Sequence, residues 1–150
     1  MAFRLLAWLF ALDLLFTRVP IRDRAAQIIG RALLTGALHI ERNLDYARFA
    51  VYNNHLLSEA VALLGAGALL PESLRGQRWR TLGRQILDEE AGRQFYGDGA
   101  YLQQSHNYHR VALQDLMWAC AFARSMASVS TSGGANTLRS WAHLAPASPR

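Results

Sequence analysis

Apolar residues recur along this chain at three- and four-residue steps, broken at intervals by proline, glycine and polar clusters, as in packed helices joined by short turns. Leu5, Leu6, Leu9, Leu12 and Phe16, with Trp8 beside them, describe the apolar face of a first helix, and Pro20 restarts the chain. From Ile21 to about Ile40 the stripe Ala25, Ile28, Ile29, Ala32, Leu33, Gly36 and Ala37 predicts a second helix, with Arg22, Arg24 and Arg31 off its buried side. Gly30 and Gly36 weaken it locally. Residues Glu41 to Tyr52 mix charge with aromatics and either continue that helix or restart one. Leu56, Leu57, Ala60, Leu63 and Leu64 define a third, after which Gly65 and Gly67 end it or admit a close neighbour.

Pro71-Glu72-Ser73 is a helix entry, because proline and a hydroxyl suit the first turn with its unpaired amides. The fourth helix carries Trp79, Leu82, Gly83, Ile86 and Leu87, continues through Glu90 to Gln94, and stops at the turn Tyr96-Gly97-Asp98-Gly99. Ala100 to Gln104 read as extended or irregular. Ser105 or Asn107 can cap a fifth helix whose packing face is Val111, Ala112, Leu116, Ala119, Cys120, Ala123 and Met126. From Ser128 the chain turns rich in Ser, Gly, Ala and Pro, so residues 128–150, Trp141 among them, read as a flexible tail. Residues 1–127 are therefore expected to be all-α, and helices of similar size joined by short turns suit stacked α-hairpins.

Two stretches break the apolar pattern. In Tyr52-Asn53-Asn54-His55-Leu56-Leu57-Ser58-Glu59 two amides and an imidazole open an otherwise apolar helix, where an unpaired polar group costs about 1–3 kcal/mol. In Asp98-Gly99-Ala100-Tyr101-Leu102-Gln103-Gln104-Ser105-His106-Asn107-Tyr108-His109 a second polar knot leads into the fifth helix. The expectation is that the two meet at one site.

Composition narrows the partners. Sixteen basic residues, all arginine, stand against eleven acidic ones for a net charge of +5, so the surface attracts polyanions, and guanidinium suits carboxylate, phosphate or sulfate. No nucleic-acid motif accompanies the charge. Arg75, Arg78, Arg80 and Arg84 form a cluster best read as a solvated helix face, with a uronate- or nucleic-acid-binding patch as the minority reading. The single cysteine, Cys120, excludes an internal disulfide and reads as a small core residue. Residues 1–16 do not read as a signal peptide or a membrane span: Asp13 interrupts the apolar run, no small-x-small cleavage site follows, and arginines arrive quickly.

Arg4-Leu5-Leu6-Ala7-Trp8-Leu9 begins, and His39-Ile40-Glu41-Arg42-Asn43-Leu44-Asp45-Tyr46 strengthens, a likeness that is most specific at Asn54-His55-Leu56-Leu57 and at Asp98-Gly99 with Gln104-Ser105 and Tyr108-His109. With the last two motifs paired at this separation, the chain resembles the heparinase II/III and alginate lyase group of polysaccharide lyases, which are α/α toroids. The resemblance implies a partial α/α toroid acting on acidic polysaccharide, with no metal or cofactor, in a periplasmic or extracellular setting. It places Asn54, His55 and Tyr108 in the catalytic cleft and Gln104, His109 and Arg110 on the substrate.

The implied chemistry explains the residue types. β-Elimination at a 4-linked uronate removes the C5 proton, which requires neutralising the adjacent carboxylate as charge develops. Asn54 and His55 supply hydrogen bonds for that purpose in this reading. Tyr108 protonates the departing O4, and serves as base if arginines such as Arg110 lower its pKa from the ordinary value of about 10. The chain departs from the family in three respects. The rest of the toroid with its further catalytic histidine and the β-sandwich domain are missing, Gln104 stands where glutamate is frequent, and the residues after Met126 no longer match. The likeness is to the first catalytic half of a lyase.

Other readings stay open beside these. Asn54 can be a helix N-cap, His55 an interior histidine, and Tyr108 a buried ring with a bonded hydroxyl. His106 and His109 have the spacing of two metal ligands but lack a third. For the whole chain, the alternative to a lyase is a catalytically silent helical module that binds acidic glycan or a partner chain; a basic helical protein at a membrane surface needs residues 1–16 exposed. An unfinished toroid leaves an apolar edge, so self-association is expected.

Overall fold

The computed structural model describes residues 1–16, 23–51 and 53–132. Within them lie five α-helices: α1 (Ala2–Phe16), α2 (Asp23–Tyr46), α3 (Asn54–Ala68), α4 (Leu74–Gln94) and α5 (His106–Ser132). A π-helical segment, Ala47–Val51, follows α2 directly. The all-α expectation therefore holds for the described residues, and the mixed segment after Glu41 continues the second helix. Pro20, Arg22, Tyr52 and the tail from residue 133 lie outside the described residues, while α5 runs past the expected boundary at Ala127.

α3 is the hub. Leu56, Leu57, Ala60, Val61, Ala62, Leu63 and Leu64 are all buried, as befits a helix that is apolar all round and surrounded by others. α1, α2, α4 and α5 all pack on it. Three contacts order α4 against it: Gly67 meets Gly76, Ala60 and Leu64 meet Gly83, and the Asn53 carbonyl meets Gln94. The two helices are thus antiparallel, an α-hairpin closed by residues 69–73. Ser58 opposite Asp115 and Gly65 opposite Phe122 show that α5 runs parallel to α3.

The turns follow from the side chains that serve them. Ser73 caps α4, its Oγ accepting from the Gly76 N–H at 2.9 Å. Arg80 donates to the Gly67 and Pro71 carbonyls at 3.0 and 3.2 Å, closing the end of α3, so this member of the arginine cluster is structural rather than solvated. Arg78 instead faces Glu41 at 3.3 Å and Arg84 faces Asp88 at 3.6 Å, both largely exposed.

Packing corrects two sequence expectations. α2 buries Ala26, Leu33, Ala37, Ile40 and Leu44, leaving Ala25, Ile28 and Ala32 exposed, because its stripe is rotated toward α1 and α3. On α5, Cys120 and Ala123 are exposed, since only the stripe through Ala112 and Asp115 turns into α3. α1 buries Leu5, Leu6, Leu9 and Leu12, which argues against a membrane-surface role for that face, while Phe3 and Phe10 of α1 and Leu113 and Met117 of α5 are exposed. Among the described residues no helix is long and apolar enough to cross a membrane.

A Cβ at position 83 would lie 2.6 Å from the Ala60 carbonyl oxygen, whereas one at position 92 would meet nothing within 4 Å. Gly83→Ala is accordingly expected to lower unfolding free energy by roughly 1–3 kcal/mol in urea denaturation. Gly92→Ala is expected to leave it unchanged or raise it by up to about 1 kcal/mol. Equal effects at the two positions would contradict the close α3–α4 approach.

Candidate functional site

The head of α3 gathers most of the buried polar groups. Asn53, extended at φ −155°, is the N-cap, its Oδ1 accepting from the His55 N–H at 2.9 Å. The capping role considered for Asn54 therefore belongs to its neighbour. Asn54 is the first helical residue, 4% exposed, and its Oδ1 has no hydrogen-bond partner. His55 is exposed, contrary to an interior histidine, on a side of the first turn that none of the described helices covers.

The second knot reaches this point through its own turns. The chain reverses at Tyr96–Gly99, with Gly99 at φ 85° and Asp98 Oδ1 accepting from the Ala100 N–H at 2.9 Å. A single antiparallel bridge pairs Phe95 with Tyr101. The next turn ends at Gln104, whose N–H bonds the Tyr101 carbonyl at 3.1 Å and whose φ of 32° is in the left-handed region. For a residue with a side chain that backbone is strained by about 1 kcal/mol or more. α5 then starts at His106, with Ser105 ahead of it accepting on its carbonyl from the His109 N–H at 2.8 Å.

The knots meet. Gln103 Oε1 accepts from the Asn54 N–H at 3.5 Å, and Gln94 Nε2 donates to the Asn53 carbonyl at 3.3 Å and to Glu90 Oε2 at 2.8 Å. Tyr101 donates its hydroxyl to Gln94 Oε1 at 2.7 Å. Burial, reinforced by the negative charges of Asp115 and Glu90, pushes the Tyr101 hydroxyl up to about 12, so it stays a donor. Beside this network Ser58 Oγ sits 2.6 Å from Asp115 Oδ2 and 3.0 Å from the Asn54 carbonyl oxygen. One hydroxyl proton cannot serve both oxygens at once: Ser58 donates to Asp115 while the carboxyl is ionised, and to the Asn54 carbonyl once the carboxyl is protonated and donates in turn. Burial pushes the Asp115 carboxyl up to about 6, partly offset by the Ser58 hydrogen bond.

The sequence-derived site residues divide in two. Asn54 lies inside the network. His55, Gln104, Tyr108 and Arg110 are exposed, Tyr108 at 48%, so its ring is not buried as the alternative reading had it. His109 is half-buried, its ring stacked on Tyr101 with centroids 6.1 Å apart and planes 16° apart. Tyr96, Tyr101, Gln104, His106 and His109 line an open depression of about 510 Å³. Among the described residues no three His, Cys, Asp or Glu side chains gather as metal ligands. Sequence reasoning missed Glu90, Gln94 and Asp115 as members of the site, and gave no role to Ser58, Tyr101 and Gln103, which lie within the two knots. The available signal for Asp115 was a lone carboxylate on the apolar stripe of α5, seven residues after Tyr108.

Residues 31–133 match the family described as Heparinase II/III N-terminus, and the chain belongs to that family. It is similar to heparin-sulfate lyases from three bacteria: 38% identical over 72 residues to that of Bacteroides thetaiotaomicron, 35% over 65 to that of Bacteroides stercoris, and 36% over 82 to that of Pedobacter heparinus. These stretches take in 48%, 43% and 53% of this chain but 10%, 10% and 12% of the relatives, so the chain spans a small part of the lyases it matches. No solved structure matches it.

Because the folded-state pKa of Asp115 lies above that of the unfolded chain, its contribution to stability is complete in acid and is lost as pH rises through about 6. Relative to Asp115→Asn, the wild type is expected to lose up to about 3 kcal/mol of unfolding free energy between about pH 4 and pH 7. Urea denaturation of both proteins across that range checks this; parallel curves would contradict it.

Proposed function

We propose that this chain is the first catalytic portion of an α/α-toroid polysaccharide lyase that acts on uronate-containing acidic glycans by β-elimination. The supporting observation is the convergence of the two polar knots, whose Asn54 and Gln103 join α3 to the lead-in of α5. An α3–α4 antiparallel hairpin followed by an α5 parallel to α3 is the alternation a toroid of stacked hairpins needs. The similarity to heparin-sulfate lyases points to a sulfated acidic glycan, which an all-arginine basic surface suits.

In this reading the buried amide of Asn54 and the imidazole of His55 neutralise the substrate carboxylate, so that loss of the C5 proton leaves a stabilised enediolate-like state. Tyr108 protonates the departing O4, while Gln104, His109 and Arg110 hold neighbouring sugars. An unpaired polar atom on Asn54 costs about 1–3 kcal/mol, a cost that substrate binding offsets. The exposed Phe3, Phe10, Leu113 and Met117 are, in a toroid, the side that meets further hairpins, and in this chain the surface through which copies associate.

A second reading, a helical module that holds acidic glycan without cleaving it, is favoured by the exposure of His55 and Tyr108. The two separate on incubation with heparan sulfate, chondroitin sulfate and alginate while the ultraviolet absorbance of unsaturated uronate is followed. A lyase gives a rise that Tyr108→Phe and Asn54→Ala reduce by about 100-fold or more. A folded chain that binds glycan and gives no rise establishes the binding module instead.

A further inference from the structure

α3 carries Asn54 and His55, α5 carries Tyr108, and the two helices run side by side in the same direction. Apart from Phe122, whose ring sits against Gly65, the parallel helices meet through small and aliphatic side chains, and apolar ridges and grooves alone give no directional bond that singles out one register. What fixes the register is a directional contact between them. A direct side-chain hydrogen bond links α3 to α5: Ser58 Oγ to Asp115 Oδ2, at 2.6 Å. Both groups are 1% exposed, so neither can exchange its partner for water. Ser58 lies four residues after Asn54 and Asp115 seven after Tyr108, so each is one or two turns along the helix from a candidate catalytic residue and on its side.

We propose that Asp115 and Ser58 are positioning residues, whose buried tie sets the register of α5 against α3 and so the placement of Tyr108 relative to Asn54 and His55. A slip by one turn would move Tyr108 about 5 Å along the groove and leave Asp115 facing apolar side chains of α3. The buried carboxylate penalises that alternative, as a single buried polar residue fixes register in coiled coils. Ser58 carries the constraint further, since its Oγ also lies 3.0 Å from the Asn54 carbonyl oxygen in the first turn. The register is a property of the fold. Its consequence for glycan rests on the lyase-family reading above.

Cys120 makes the register measurable without any activity. It is the chain's single cysteine, it is exposed, and it lies on α5. A nitroxide attached there broadens the amide NMR signals of the nearest α3 residues. Wild type and Asp115→Asn, which keeps a hydrogen-bonding side chain, are expected to give the same broadening profile along α3. Asp115→Leu is expected to move the maximum by three to four residues or to spread it over more than one turn; Ser58→Ala serves equally if that variant does not fold. An unchanged profile in a folded Asp115→Leu or Ser58→Ala chain overturns the proposal, including the case where the melting temperature falls, because a mere packing role lowers stability with the register intact. Affinity for a heparan sulfate oligosaccharide is then measured on the same samples. A shifted register with weakened binding supports both claims, whereas a shifted register with unchanged binding upholds the positioning role and counts against the glycan site.

Discussion

The structure depends on one constraint: α3 is buried along nearly its whole length, yet it opens with Asn53, Asn54 and His55 and carries Ser58 inside. On the buried side of such a helix there is no water, so the polar groups that face inward are met by groups that other elements bring, Asn54 Oδ1 excepted. The end of α4 brings Glu90 and Gln94, the turn after it brings Tyr101 and Gln103, and α5 brings Asp115. The irregular stretch between α4 and α5 is shaped by that demand. Its bridge at Phe95 and Tyr101, and the strained backbone at Gln104, deliver two side chains to the head of one helix.

Read from the sequence, the helices were legible because their signals are local. Pro71-Glu72-Ser73 announces α4, and Leu56, Leu57, Ala60, Leu63 and Leu64 can be nothing but a buried helix. Rotation about each helix axis was less legible. Ile28 and Cys120 look like core residues in a periodicity plot, but which side of α2 or α5 faces α3 is decided by partners far away in the chain. Alanine, frequent in both helices, marks neither face strongly.

The candidate site was half legible for a related reason. Asn54 and the second knot stand out as polar groups where apolar ones are expected. Glu90, Gln94 and Asp115 do not, because a charged or amide residue on a helix is ordinarily solvent-facing, and only the fold reveals that these three are buried. The cap illustrates the same limit: Asn53 and Asn54 are chemically identical, and the backbone alone decides that the first caps the helix while the second goes inside with an unpaired oxygen. Membership of the heparinase II/III family gives this arrangement a context, and in the proposed reading an acidic sugar is the group that the unpaired amide of Asn54 recognises.

The measurement that bears most directly on the central claim, that the two knots form one glycan site, is an NMR titration of the chain with a defined heparan sulfate oligosaccharide. If the claim is right, the amide and side-chain signals of Asn54, His55, Gln104, Tyr108 and His109 shift together along one saturation curve. Saturable shifts confined to the arginine face around Arg75 and Arg84, with the signals of the knots unmoved, would contradict it.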